Sequence, residues 1–129
     1  MKISLAQINS TVGDLEYNYS LISSAAKEAL DNNVSLLITP ELSLTGYPPE
    51  DLLLNSDFLN EVNKKLLLLA KENSQIMIIV GHPLLHGKNL FNAASVLYKG
   101  KIFKSYKKQI LPNYGVFDEK RYFVPGDSN

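Results

Sequence analysis

LLITPELSLTGYPPEDLLL, residues 36–54, decides how the chain is read. It begins as an apolar strand, Val34 to Thr39, and that strand stops at Pro40, which has no amide to give to a sheet ladder. Glu41 follows at once, so a carboxylate sits where a buried strand leaves its sheet. Ligands of α/β folds bind at such strand ends. Leu36, Leu37, Ile38 and Leu42 surround Glu41 in sequence and are expected to strip water from the carboxylate, raising its pKa toward that of a general base. Position alone fits equally a residue that caps the next turn or pairs with a lysine.

A chain of 129 residues, 45% apolar and 20% charged, fits one globular domain. Thirteen basic and thirteen acidic side chains cancel, so no net field draws it to nucleic acid or an anionic membrane, and the expected partners are small molecules or protein. No apolar run is long enough for a signal peptide or a membrane span, the longest blocks being Leu66–Ala70 and Ile76–Val80. A cytoplasmic location is expected. The absence of cysteine agrees with a reducing compartment and leaves these residues without a disulfide, a thiolate metal site or a thiol nucleophile.

Around the quoted stretch the chain alternates elements. Lys2 to Asn9 reads as a strand, expected to lie centrally in a sheet. Asp14 caps a helix whose apolar positions Leu15, Tyr19, Ile22, Ala26 and Leu30 recur at three and four residues, ending at Asp31-Asn32-Asn33. Strand, helix and strand then form a right-handed parallel unit. Beyond the Pro48-Pro49 turn, Asp51 to Leu54 make a helical turn, and Ser56 or Asp57 caps a helix to Lys71 with Glu61 and Lys65 as a surface pair. The β-branched run Ile76–Val80 predicts a strand ending at Gly81-His82-Pro83. Leu90–Tyr98 and Lys101–Tyr106 form a hairpin about Lys99-Gly100, and Lys107 to Asn129 reads mostly as loop.

Few residues in this frame suit chemistry. His82 and His86 have a metal-ligand spacing only on a helix, which Pro83 and Gly87 oppose, so no metal site is assigned. The glycines build no phosphate-binding loop, so no cofactor is expected here. The lysines from Lys99 to Lys107 read as the solvated face of a hairpin. Lys108 differs, because it lies just past a strand end as Glu41 does, and strand ends share a rim. A Glu that takes a proton from a nucleophile, beside an ammonium that stabilises an oxyanion, suits attack on a carbonyl. No serine or threonine sits in a G-x-S-x-G elbow to supply that nucleophile.

TPELSLTGYPPEDLLL, residues 39–54, resembles the catalytic-glutamate motif of the nitrilase (carbon–nitrogen hydrolase) superfamily. SYKKQILPNYGVFDEKRYFVPG, residues 105–126, resembles the segment that carries that family's lysine. GYPPEDLLL together with LPNYGVFDEKRYF resembles more particularly the glutaminase domain of glutamine-dependent NAD synthetases, and the likeness runs from Met1 over the whole chain. The resemblance implies an α-β-β-α sandwich and a Glu-Lys-Cys triad that hydrolyses an amide through a thioester. On that likeness Glu41 matches the general base. Lys108 matches the lysine, because the family's Lys-x-x-Leu-Pro pattern falls on Lys108, Leu111 and Pro112. Tyr114 matches a glutamine-contacting position, and Glu119 matches a second acidic residue that supports the site.

The family's cysteine comes after the point matching Asn129, as do the remaining strands and helices. The resemblance thus implies that residues 1–129 form the amino-terminal part of a glutaminase domain, inactive alone, an incomplete sandwich of marginal stability. The ammonia-using synthetase domain, with ATP and magnesium, would lie outside these residues. Implied partners are glutamine, the remainder of the same enzyme, or a second copy of the chain. Two rival readings are a non-catalytic assembly module that keeps the nitrilase packing and a relative acting on another amide.

Overall fold

The computed structural model describes residues 1–114 and 117–127. Gly115 and Val116 of the PNYGVFDE motif lie outside them. A five-stranded sheet runs in the order β1 (Ile3–Leu5), β2 (Leu36–Ile38), β3 (Met77–His86), β4 (Asn89–Tyr98), β5 (Lys101–Lys107). β1, β2 and β3 are parallel, while β3, β4 and β5 form an antiparallel meander. Helix α1 (Leu15–Asp31) links β1 to β2, and α2 (Ser56–Glu72) links β2 to β3 after a short 3-10 turn at Glu50–Leu54.

Both helices pack on one face of this sheet. Tyr19, Ile22, Ala26 and Ala29 of α1 and Val62, Leu66, Leu69 and Ala70 of α2 close on Leu37, Ile78, Val80 and Leu97 in a single core. Each fully buried aliphatic side chain contributes about 1.5–3 kcal/mol, so the helical stripe and the alternate strand residues together bind the two layers. Among the described residues the opposite face carries no helix, and there the alternate residues Ile3 and Leu5 of β1 are 54% and 69% exposed. β1 is therefore an edge strand of three residues. The expectation of a longer, central first strand is not met: among the described residues β1 pairs with β2 alone, and the ladder ends one bond later, where the amide of Ala6 donates to Ile38.

Other expectations are adjusted by local chemistry. Asp14 caps α1, its carboxylate accepting from the amide of Tyr17 at 3.1 Å. Asn55 rather than Ser56 or Asp57 caps α2, accepting from the amide of Phe58, because Asn55 is the last extended residue before the helix. Lys65 reaches across to Glu16 on α1 and lies over the Tyr19 ring, leaving Glu61 to pair with Lys64 at 3.2 Å. β3 does not end at Gly81 but continues to His86. Beyond Ile79 its ladder with β2 ends, and Pro83 is tolerated in that edge-like segment.

His82 is buried at the centre of the meander. Its Nδ1 faces the carbonyl of Pro83 at 2.9 Å, and its Nε2 lies 2.6 Å from Ser95 Oγ, which in turn lies 2.7 Å from Ser105 Oγ. A carbonyl only accepts, so Nδ1 carries the ring proton, Nε2 accepts from Ser95, and Ser95 accepts from Ser105. Burial lowers the imidazole pKa below the usual 6.5 despite the opposing bond to Pro83. The unfolded chain then binds a proton that the folded one refuses, so this stabilisation is complete above about pH 6.5 and declines as pH falls from there. Urea unfolding between pH 7.5 and 5 should show the decline, with the His82 ring titrating below 6.5 by NMR; titration at or above that value contradicts it.

Candidate active site

The rim at the end of β2 holds the first candidate. After Thr39 the chain folds into a tight loop in which Leu42 adopts a left-handed conformation, φ +50°, with its side chain fully buried. An aliphatic residue in that region costs about 1–2 kcal/mol, so the loop must be held from several sides. Thr39 Oγ1 accepts from the amide of Gly81 at 3.3 Å and pairs with Ser43 Oγ at 2.7 Å. The amide of Leu44 donates to the carbonyl of Gly81. From the other side Asn18, buried on α1, donates to the carbonyls of Thr11 and Leu44, and the amide of Gly13 donates to Thr45. Leu42 thus turns into the interior while Glu41 is left at the surface.

Lys108 leaves the end of β5 close by. Its amide donates to the carbonyl of Asn92 at 2.8 Å, and its own carbonyl accepts from the amide of Gly126 at 2.8 Å. Lys108 Nζ lies 2.5 Å from Glu41 Oε1 and 3.2 and 3.3 Å from the two carboxylate oxygens of Glu119. The ammonium is therefore gripped between two carboxylates whose residues are 67 and 11 positions away in sequence. Desolvation pushes the Lys108 pKa down, but the hydrogen bonds and charges of Glu41 and Glu119 outweigh it and the net shift is upward.

Glu119 opens a 3-10 turn, Glu119–Arg121, and is 5% exposed. Its Oε1 also accepts from Asn92 Nδ2 at 3.1 Å and its Oε2 from the Tyr47 hydroxyl at 2.8 Å. Burial first, and then the bond to Glu119, raise the Tyr47 pKa far above its ordinary value and keep its proton in place. A buried carboxylate with three donors is the expected way to retain its charge. By contrast Glu41, whose side chain is 43% exposed, is not stripped of water by its leucine neighbours. Leu42 and Leu44 face inward and Lys108 is the group that governs it.

Two hollows flank the ion cluster. A cleft of about 250 Å³ is lined by Tyr47, Pro48, Asp51, Glu119 and Tyr122, and an apolar shelf of about 320 Å³ on the helix-free face is lined by Ile38, Ile79, Tyr106, Glu41 and Lys108. Tyr114 sits apart from the cluster. It lies in a two-residue strand β6 (Asn113–Tyr114) paired with β7 (Phe117–Asp118), is 69% exposed, and meets Phe117 edge-on at 5.8 Å. Phe117 in turn neighbours Tyr47 at 6.1 Å. Among the described residues no hydrogen bond joins Tyr114 to Glu41 or Lys108. His86 faces Lys107 and His82 is occupied within the sheet, and no three potential metal ligands converge among the described residues.

Of the residues predicted from sequence, Glu41, Lys108 and Glu119 come together. Tyr47 and Asn92 were not anticipated. Tyr47 stands inside the GYPPEDLLL motif, and Asn92 is a polar residue in the otherwise apolar run LFNAASVLY.

Lys108 thus bridges two carboxylates, Glu41 just past the end of β2 and Glu119 in the 3-10 turn. The chain belongs to the carbon–nitrogen hydrolase family, whose model matches residues 2–128. It is 43% identical over 129 residues to the glutamine-dependent NAD(+) synthetase of Thermotoga maritima, covering 98% of this chain and 22% of that protein. The structure of the glutamine-dependent NAD+ synthetase of Acinetobacter baumannii in complex with ADP superposes with a TM-score of 0.91 at 36% identity, covering 98% of this chain and 24% of that one. A variant of the amidase from Nesterenkonia sp. AN1, with the acetamide moiety of fluoroacetamide added at its active-site cysteine, gives 0.85 at 29% identity, covering 99% and 49%. The chain thus spans 22% of the length of the first of these relatives.

The grip on the Glu41 loop can be tested at Gly81. A Cβ there would lie 2.5 Å from both the amide nitrogen of Leu42 and the carbonyl oxygen of Pro40, neither of which can swing aside. Gly81→Ala should destabilise the fold by about 1–3 kcal/mol or more in urea unfolding. An unchanged unfolding midpoint would show that the loop is not clamped against β3.

Proposed function

We propose that these residues carry the Glu41, Lys108 and Glu119 part of a site that hydrolyses the side-chain amide of glutamine. The observation that supports it most is the Lys108 ammonium bound by both Glu41 and the buried Glu119. Glu41, the more exposed carboxylate, accepts the proton of an attacking thiol. Lys108 faces the carbonyl carbon's oxygen as negative charge develops there, and Glu119 holds Lys108 in place. As the C–N bond breaks, Glu41 returns the proton to the leaving ammonia; water then attacks the thioester carbonyl, giving a proton to Glu41, which passes it to the sulfur as the C–S bond breaks and the acid is released. The thiol comes from a cysteine outside these residues, since none of the 129 is cysteine. Glutamine is favoured as substrate by the relatives of which glutamine dependence is stated, with Tyr114 contacting it from the hairpin.

In this reading the chain is the amino-terminal part of a glutaminase domain in the cytoplasm, the ammonia serving NAD formation. ATP and magnesium belong to a synthetase portion that residues 1–129 do not span. A second reading, a non-catalytic module for assembly, is favoured by the helix-free face, where Ile3, Leu5, Phe103 and Tyr106 are all more than half exposed.

A chimera distinguishes the two readings. Residues 1–129 would replace the matching segment of the Thermotoga maritima synthetase, and glutamate release from glutamine would be measured. Activity is expected, with Glu41→Gln lowering it by about 10²–10⁴-fold. A folded chimera without glutaminase activity, or one indifferent to Glu41→Gln, would favour the assembly module.

A further inference from the structure

We infer that Asn92 is the positioning residue of this site, setting Lys108 with its backbone and Glu119 with its side chain. The inference rests on the proposed amide-hydrolysing role of those residues but makes its own structural claim. Asn92 lies on β4, opposite Pro83 on β3, and is 2% exposed. Its carbonyl accepts the Lys108 amide at 2.8 Å, directly after β5 ends at Lys107. Its Nδ2 donates to Glu119 Oε1 at 3.1 Å, the same oxygen that lies 3.2 Å from Lys108 Nζ.

One residue therefore touches both partners. The segment carrying Glu119 is also attached through backbone bonds, the amide of Glu119 to Pro112 and that of Val124 to Leu90, and through the side chains of Tyr122, which donates to Asp51, and Phe123, which is buried against Leu42 and Leu90. These contacts place the turn but not the Glu119 carboxylate, which can still rotate about its side-chain bonds. Tyr47 holds Oε2 from one side. The Asn92 amide fixes Oε1 from the other, and it does so as a neutral donor. A cationic donor there would compete with Lys108 for Glu119, and a carboxylate would repel it. Asparagine supplies direction without changing the charge count of a cluster that already holds Glu41, Glu119 and Lys108.

The shape-preserving variant is Asn92→Asp, which removes the donor and sets a second carboxyl against Glu119 with Lys108, Glu41 and the Tyr47 hydroxyl nearby. In the chimera it should lower kcat on the order of a hundred-fold near pH 7.5 with little change in KM, as expected when a reacting group is misplaced. The ratio to the parent should recover as pH falls, because the protonated acid regains an O–H to donate to Glu119. Unaltered kcat, or a loss indifferent to pH, would overturn the proposal. A second readout needs neither an active chimera nor a folded Asp variant. In the chain itself, the Asn92 side-chain amide protons should be protected from exchange in NMR spectra and should shift on Glu119→Gln. Rapidly exchanging signals untouched by Glu119→Gln would overturn the proposal whatever the chimera does. Protected amide protons that do shift on Glu119→Gln, found together with an inactive parent chimera, would instead leave the positioning geometry standing and remove the amide-hydrolysing role.

Discussion

A single ammonium group, Lys108 Nζ, joins the charged tips of three parts of the chain that a second buried cluster, Leu42, Leu53, Leu90, Leu111 and Phe123, already packs together. Glu41 comes from the end of a parallel strand, Glu119 from a turn after the meander, and Lys108 from the end of β5. Each carboxylate alone at the rim would be a charge without a task. Glu119 in particular is buried, and a buried carboxylate that loses its cation and donors destabilises a fold by several kcal/mol. Lys108 lets both anions converge, and their combined field outweighs the desolvation that works against the ammonium.

The scaffold resists movement at this rim from three directions. The loop of Glu41 is pressed against Gly81 on β3 and tied through Asn18 to α1, so the core that α1 forms also sets the height of the carboxylate. A strained residue, Leu42, survives there because the hydrogen bonds on both sides leave it no alternative. The β4 strand serves the other half of the cluster: Leu90 and Asn92 offer carbonyls to Val124 and Lys108. Rigid elements thus carry the charged tips, an arrangement that suits a site needing fixed geometry. The helix-free sheet face adjoins the same rim, Ile38, Ile79 and Tyr106 sharing a hollow with Glu41 and Lys108.

Much of this was legible in the sequence because its signals are local. The 3.6-residue stripes of α1 and α2, the run at Ile76–Val80 and the Lys99-Gly100 turn follow from patterns within a dozen residues, and Pro40-Glu41 marks a strand end by itself. The rank of β1 was not legible, since alternation in KISLAQIN shows a two-sided strand without saying which side the helices take. The extent of β3 was misjudged because Gly81 and Pro83 read as terminators, whereas the close approach of the Glu41 loop requires the glycine and the unpaired edge tolerates the proline. Lys108 was reached from its place just past a strand end and again through resemblance, and Glu119 through resemblance alone, but the roles of Tyr47 and Asn92 were not. Both depend on partners 72 and 27 residues away, and no spacing rule within the sequence announces such contacts.

The central claim is that Glu41 and Glu119 share one ammonium. It is tested most directly by following the titration of the Lys108 ammonium by NMR in the chain, with and without Glu41→Gln. The account predicts a midpoint above the ordinary lysine value of 10.5 that moves down when Glu41 loses its charge. A midpoint at or below 10.5 that ignores the substitution would contradict it.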